Sequence, residues 1–452
     1  MTRASPALLR ALAAALVAAL AARGAAASPI WQPPGGTAAG AMQSAVPGPT
    51  AGPLQKLWTI TMPGSQGYAS QVILVGISAT GLSVILVTPS PASRGGGSSG
   101  FAITVYQNAL QLWPQPQQLY SCSQSSQSIC NISVAFDDAF VYVATNYQQQ
   151  PQYPPQSSLQ VFNISTGKTI NGNLSPFPGV ALSVLSNTAD APGGAALLWA
   201  VGGTSAFAGT YSAASQDLEG PTSNLTVSVV ECALAHLSFA VCMLGGVGGM
   251  AVLRADAAGL VGPAVAWDDY VKPLFIAKDI GANGALIVDT DVGGFPGGTL
   301  VACDLATGAA LWTWRKPTDA ALSAFAYSGA GVLMLKSFYD DGVQFSVRFD
   351  TFALNSTMMM LTASASAPTF PPSALPFEDF LTLDGTAVSA YTLDSDGGSV
   401  VAVAVKVGVS GAGAISTLLS DGALQAPTAL VSGPKPTQLS VQYDAFTVAV
   451  YM

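Results

Sequence analysis

Apolar residues along this chain recur at every second position in short runs, and turn-forming residues separate the runs. The clearest run, residues 135–144, reads A-F-D-D-A-F-V-Y-V-A, and residues 441–451 echo it as V-Q-Y-D-A-F-T-V-A-V-Y. Looser versions stand at residues 81–87, 195–201, 283–288, 328–335 and 384–391. Val, Tyr, Phe and Thr at period two predict pleated, half-buried strands. The runs begin about 40 to 60 residues apart, the spacing of propeller blades rather than of solenoid repeats. No convincing amphipathic helix interrupts them after the first residues of the chain.

A second pattern is a phrase used twice. Residues 298–312 read G-T-L-V-A-C-D-L-A-T-G-A-A-L-W, and residues 157–170 read S-S-L-Q-V-F-N-I-S-T-G-K-T-I. Each is an alternating strand, a turn on Thr-Gly and the start of a returning strand. Asp304 and Asn163 stand three residues before Thr307 and Thr166, where a side-chain oxygen can accept turn amides. Gly308 and Gly167 supply the positive φ that such a turn requires. Trp312 is expected to cap the outer strand and fill the space between neighbouring blades. Asn171 aligns with Trp312 in the other copy, while Leu57-Trp58 and Leu112-Trp113 look like the same strand end. Acidic-Gly turns predict hairpins at Asp340-Asp341-Gly342 and at Asp394-Ser395-Asp396-Gly397. Stretches rich in Pro, Gly, Ser or Gln at residues 89–100, 148–158, 206–223 and 363–376 read as surface loops.

The phrase at 298–312 resembles the repeat of quinoprotein-like β-propellers, the pyrroloquinoline-quinone (PQQ) type. That repeat has a small strand with an apolar-Ala-x-Asp core, then Thr-Gly, then an apolar residue and Trp. Asp304, Thr307, Gly308 and Trp312 match it, and Asn163, Thr166 and Gly167 form a second, degraded copy. The resemblance implies an all-β disc of four-stranded blades around a channel, seven or eight of them here. Residues 55–60 resemble an outer blade strand and residues 445–451 an inner one, so the two ends of the chain are expected to pair in one composite blade and close the ring. Two stacked β-sandwich domains are the alternative architecture, since short strands with frequent turns fit both.

Composition adds a compartment. Arg3 and Arg10 precede an apolar run at residues 11–22, and Ala25-Ala26-Ala27 offers a cleavage site before Ser28, the three parts of a secretory signal peptide. Residues 1–27 are therefore expected to be removed, residues 28–53 to form a Pro/Gly/Ala-rich disordered leader, and residues 54–452 to make a single propeller domain. Only 9% of the 452 residues are charged and half are hydrophobic, against about 25% charged in ordinary domains. Cleavage takes away three arginines and no acid, leaving 12 basic against 24 acidic residues, a net −12. An acidic chain without basic clusters argues against nucleic acid and anionic membrane surfaces as partners, and no later segment has the 18 unbroken apolar residues of a membrane span.

Five cysteines fit an oxidising compartment. Local pairing predicts Cys122–Cys130 as a loop staple and Cys232–Cys242 as a hairpin staple, with Cys303 left over as a small buried hydrophobe. N-glycosylation sequons at Asn131, Asn163, Asn224 and Asn355 suit the same compartment, and a fifth at Asn173 is spoiled by Pro176.

Catalytic constellations are few. His236 is the one histidine, so multi-histidine metal sites are excluded, and no G-x-S-x-G elbow accompanies it. Paired carboxylates capable of glycoside hydrolysis would come from Asp137-Asp138, Asp268-Asp269, Glu378-Asp379 or Asp289 with Asp291; neighbours on a strand point to opposite faces, so only the last pair shares one. Residues 394–399 echo the opening of a calcium loop without its later ligands. Gly245-Gly246-Val247-Gly248-Gly249 lacks the Lys and Ser/Thr of a phosphate loop. Quinone enzymes of the resembling family carry adjacent cysteines; this chain has none, and no PQQ or calcium is expected. The expectation is a secreted, non-catalytic propeller that binds an extracellular protein, peptide or glycan. The alternative is a degenerate quinoprotein-type oxidoreductase or a glycan-active enzyme using the channel. A gathering of acids at one mouth would mark the enzyme, and an apolar or aromatic patch with scattered acids would mark the binding module.

Overall fold

The computed structural model describes residues 48–61, 73–74, 85–89, 101–107, 110–113, 117–118, 129–136, 139–148, 156–174, 183–186, 197–212, 214–245, 249–267, 271–290, 298–317, 320–328, 331–340, 345–369, 380–381, 386–392, 400–406, 415–419, 429–432, 437–442 and 447–452. Among these, every regular element is a strand, and the strands form seven antiparallel sheets in chain order. Five are four-stranded: residues 129–174, 272–315, 320–369, 380–419, and the last, 429–451 joined by Lys56–Thr61. Five regular four-stranded blades replace the seven or eight expected. The first sheet has five strands, three of them only two residues long, and the third, residues 183–267, has seven.

The departure in the third sheet has a local cause. Leu198–Ser212 and Thr222–His236 are each 15 residues long. The first half of Thr222–His236 pairs with Leu198–Ser212 and its second half with Phe239–Leu244. One strand thus belongs to two units, and the sheet turns on itself. Its two halves bury Trp199, Val201 and Leu225 in one core with Ala240, Ala251 and Leu253. Residues 206–212 are strand, where a surface loop was expected, and so are residues 363–369 and 156–158. Small residues misled the reading: Gly209 lies so close to the Phe207 ring and to the Glu219 carbonyl that a Cβ would overlap both. Glycine here marks close approach rather than a break.

From the second sheet to the last, adjacent sheets share cores. Val161 and Ala144 pack with Val184 and Ala200, and Leu234 and Val252 pack with Leu286 and Val288. Ile287 and Leu300 pack with Leu335 and Phe352, and one large cluster joins Phe349, Val403, Val441 and Tyr451 across the last three sheets. The first strands of the second and third sheets lie beside each other, as do those of the fifth and sixth, which leaves the last strands of these sheets at the rim.

The ring closes through the chain ends. Lys56–Thr61 pairs antiparallel with Thr447–Tyr451, with Trp58 opposite Val450 and Ile60 opposite Val448. Gln55 and Met452 exchange backbone hydrogen bonds at 2.8 and 2.9 Å. Thr447–Tyr451 is the third strand of its sheet rather than an innermost one, because Ala429–Ser432 and Leu439–Gln442 lie inside it. The segment before Lys56 lies on the neighbouring sheet, where the Leu54 amide donates to the Leu418 carbonyl at 2.8 Å.

Candidate functional site

The two Thr-Gly turns carry one hydrogen-bond set. Asp304 Oδ1 accepts from the amides of Ala306 and Thr307 and from Thr307 Oγ1, at 3.1, 2.8 and 2.8 Å. Asn163 Oδ1 accepts from the amides of Ser165 and Thr166 and from Thr166 Oγ1, at 3.1, 2.9 and 3.0 Å. Gly308 and Gly167 have φ of 71° and 67°. A neutral amide and a carboxylate do the same work because both present an oxygen at the same place. Asn355 repeats the device one residue shorter, accepting from Thr357 and Met358.

Each turn is a seat for a tryptophan or its neighbours from the preceding blade. Trp113 Nε1 donates to the Ile164 carbonyl at 2.9 Å, and its ring lies where a Cβ of Gly167 would be. Trp312 Nε1 donates to the Asn355 carbonyl at 3.0 Å. Val265 and Trp267 crowd Gly308 in the same way. Asn171, where the second copy lacks a tryptophan, stands opposite Val161. These residues interlock the scaffold.

Several titratable residues of the interior are paired. Lys316 Nζ donates to both carboxylate oxygens of Asp289 at 2.9 and 2.8 Å, with side chains only 3% and 8% exposed. Asp289 is therefore held by a cation, and Asp291 lies outside the described residues. Arg348 Nε donates to Asp350 at 2.7 Å, Ser364 Oγ donates to the same oxygen at 2.7 Å, and the guanidinium lies over the Tyr339 ring. Between these two groups, Trp314, Leu322 and Tyr339 line a cleft of ≈ 10 Å³, room for about one water molecule. Lys336 is buried and donates to Ser389 Oγ and the Ala390 carbonyl in the next sheet. Tyr327 donates a hydrogen bond to Asp279. Burial first, and then that bond, push the Tyr327 phenol far above its ordinary range.

Other residues singled out in the sequence fall as follows. Cys232 and Cys242 face each other across a hairpin and are disulfide-bonded. Cys303 is free and buried, and burial raises its thiol pKa. Neither cysteine arrangement offers the adjacent pair that stacks on a quinone, so the donor set does not fit that cofactor. His236 is 4% exposed at the end of its strand, against Gly284. Asn224 and Asn355 are exposed, and Asn163 is half-buried in its turn. Cys122, Asp137, Asp138, Asp268, Asp269, Glu378, Asp379, residues 246–248 and residues 394–399 lie outside the described residues, as do the side chains of Cys130, Asn131 and Asn173. Among the described residues, no three His, Cys, Asp or Glu side chains gather as a metal site, and no helix is long and apolar enough to cross a membrane.

One aromatic cluster remains, partly exposed at the boundary of two sheets. Phe140 and Tyr142 of the second sheet meet Tyr211 of the third, with ring centroids 5.1 and 6.2 Å from Tyr211, both edge-on. Leu218, half-buried, packs against the same group. Phe140 and Tyr211 are half-buried as well, and the exposed acids Asp217 and Glu219 stand on the adjoining strand. The Tyr211 hydroxyl is buried without a hydrogen-bond partner. Burial, and then the Asp217 charge, raise its pKa. No local pattern announces this group, because Tyr211 lies in a segment of loop-like composition, 69 residues after Tyr142.

No family model and no curated protein matches the chain. Solved structures do. The hydrazine synthase of Kuenenia stuttgartiensis is 11% identical, aligned over 70% of this chain and 94% of its own, with a TM-score of 0.37. Chaetomium thermophilum Sqt1, solved bound to the N-terminus of the ribosomal protein L10, is 12% identical over 81% of this chain and 93% of its own, with a TM-score of 0.38.

Proposed function

We propose that this chain is a secreted, non-catalytic β-propeller of the quinoprotein-like kind that binds an extracellular protein, peptide or glycan. The observation that carries the proposal is the cluster in which half-buried Phe140, Tyr211 and Leu218 pack on buried Tyr142, with acids scattered beside it rather than gathered. Aromatic side chains supply large contact area at little entropic cost. The cluster straddles two sheets of a closed scaffold, so its geometry is fixed before any partner arrives. The Cys232–Cys242 disulfide supports an oxidising compartment. The paired Thr-Gly turns support the quinoprotein-like kinship of the repeat.

The test is binding of the secreted protein to a glycan array and to a displayed peptide library, run beside Tyr211→Ala and Phe140→Ala. Selective binding that both substitutions weaken at least about tenfold, a loss of about 1.4 kcal/mol, supports the reading. Binding that survives both substitutions unchanged would place the site elsewhere and contradict it.

A further inference from the structure

The outer strands of the sheets differ in how they guard their free edges. An outer strand presents unpaired amides and carbonyls, and proteins blunt such edges with charge, proline, irregular pairing or a covering segment. Thr169–Leu174 pairs with two register breaks. Val261–Trp267 carries Pro263 in its middle. Ala310–Arg315 ends on an exposed arginine. Ile415–Leu419 is covered by the Leu54 amide. Lys56–Thr61 opens with an exposed lysine.

Met359–Thr369 has almost none of these. It is the longest rim strand at 11 residues, and among the described residues nothing pairs with its outer side. No charged residue occurs from 351 to 377, a run of 27 in this chain. Met358, Met360 and Leu361 are 51%, 54% and 48% exposed. One register break at Thr362 and a proline at 368 bound the regular stretch between them. That stretch reads A-S-A-S-A.

We infer that this edge pairs with the same edge of a second copy, antiparallel and two-fold symmetric, to form a dimer. Three features point to the copy as the occupant. An isologous contact needs a self-complementary surface. Centred on Ser364, the pairing sets Met359, Met360 and Leu361 of one copy opposite Thr369, Pro368 and Ala367 of the other, so large side chains meet the small-residue end. The chain carries net charge −9, so two copies repel wherever acids approach, and this uncharged run is where edges can meet without that cost. Symmetric pairing also uses up the open edge, leaving none for further growth. The strand is held ready by the Ser364 hydroxyl, which is bonded to Asp350 on its inner neighbour.

Sedimentation equilibrium of the full secreted chain tests this over roughly 1–100 μM, the span in which a micromolar contact titrates. Wild type is expected to reach twice the monomer mass. Met360→Lys and Ser366→Lys, both at exposed positions, are expected to raise the dissociation constant at least about tenfold while circular dichroism and melting stay unchanged. A wild type that remains monomeric throughout, or lysine variants that dimerise as wild type does, would overturn the inference. Should the lysine variants lose their fold, Ser366→Cys with a short thiol-specific cross-linker decides instead. A covalent dimer linked at position 366 supports the pairing, and a cross-linking yield no higher than wild type overturns it.

Discussion

Trp113 and Gly167 occupy one space across a blade boundary. The glycine leaves out a side chain at φ 67°, and the indole fills the gap and donates to the Ile164 carbonyl. The Thr-Gly motif is therefore a receptor for the preceding blade as well as a turn. Gly167→Ala is expected to destabilise the protein by about 2–4 kcal/mol, combining the strained φ with overpacking of the ring. Trp113→Ala is expected to cost about 3–5 kcal/mol through the cavity it leaves. Denaturant unfolding measures both, and a Gly167→Ala protein as stable as wild type would refute the interlock.

Asp304 and Asn163 act through an oxygen rather than through charge. Asp304→Asn is expected to change stability by less than about 0.5 kcal/mol, whereas Asp304→Ala should lose about 1 kcal/mol, the usual worth of a side-chain cap on turn amides. Comparable losses from both substitutions would show that the carboxylate matters as a charge.

The Asp289–Lys316 pair is buried, so removing one partner strands the other. Lys316→Met alone is expected to cost about 3–5 kcal/mol, and adding Asp289→Leu should return most of that. Chemical denaturation of the two variants checks the coupling. Equal stability of the single and double variants would mean the carboxylate is solvated by some other route.

Much of the architecture could be read from residues alone, because it rests on local chemistry. Asp304, Thr307 and Gly308 announce a turn wherever they fall, and the alternation at residues 447–451 announces a strand. What could not be read depends on partners far along the chain. The 15-residue strand Leu198–Ser212 contains Gly202, Gly203 and Gly209, and Gly209 looks like a break until Phe207 and Glu219 are seen pressing against its backbone. The same blindness hid the aromatic cluster and the edge strand at residues 359–369, whose Ala and Ser alternate without the large side chains that make a strand conspicuous. The third sheet, with one strand serving two units, has no sequence signature at all.

Alkaline stability follows from the buried phenol of Tyr327 and the buried thiol of Cys303, whose pKa values are raised by burial. Both hold their proton in the folded chain at pH values where the unfolded chain has lost it. Their contribution is thus complete below the ordinary thiol and phenol values and falls as pH rises through them, above roughly pH 8.5 for the thiol and pH 10 for the phenol. Tyr327→Phe should flatten the fall above pH 10. A melting temperature that stays level from pH 8 to pH 11 in wild type would contradict this. The same burial predicts that Cys303 resists thiol reagents until the protein unfolds.

The ring is held shut by the pairing of Lys56–Thr61 with Thr447–Tyr451. Thr59 and Ala449 are directly opposite in that pairing, close enough for a cross-strand disulfide once both are cysteine. Peptide mapping of oxidised Thr59→Cys/Ala449→Cys protein by mass spectrometry should recover a peptide joining positions 59 and 449, with neither single variant giving it. If the double variant folds and oxidises but leaves both thiols free, the two ends of the chain do not share a sheet, and the closed propeller is wrong.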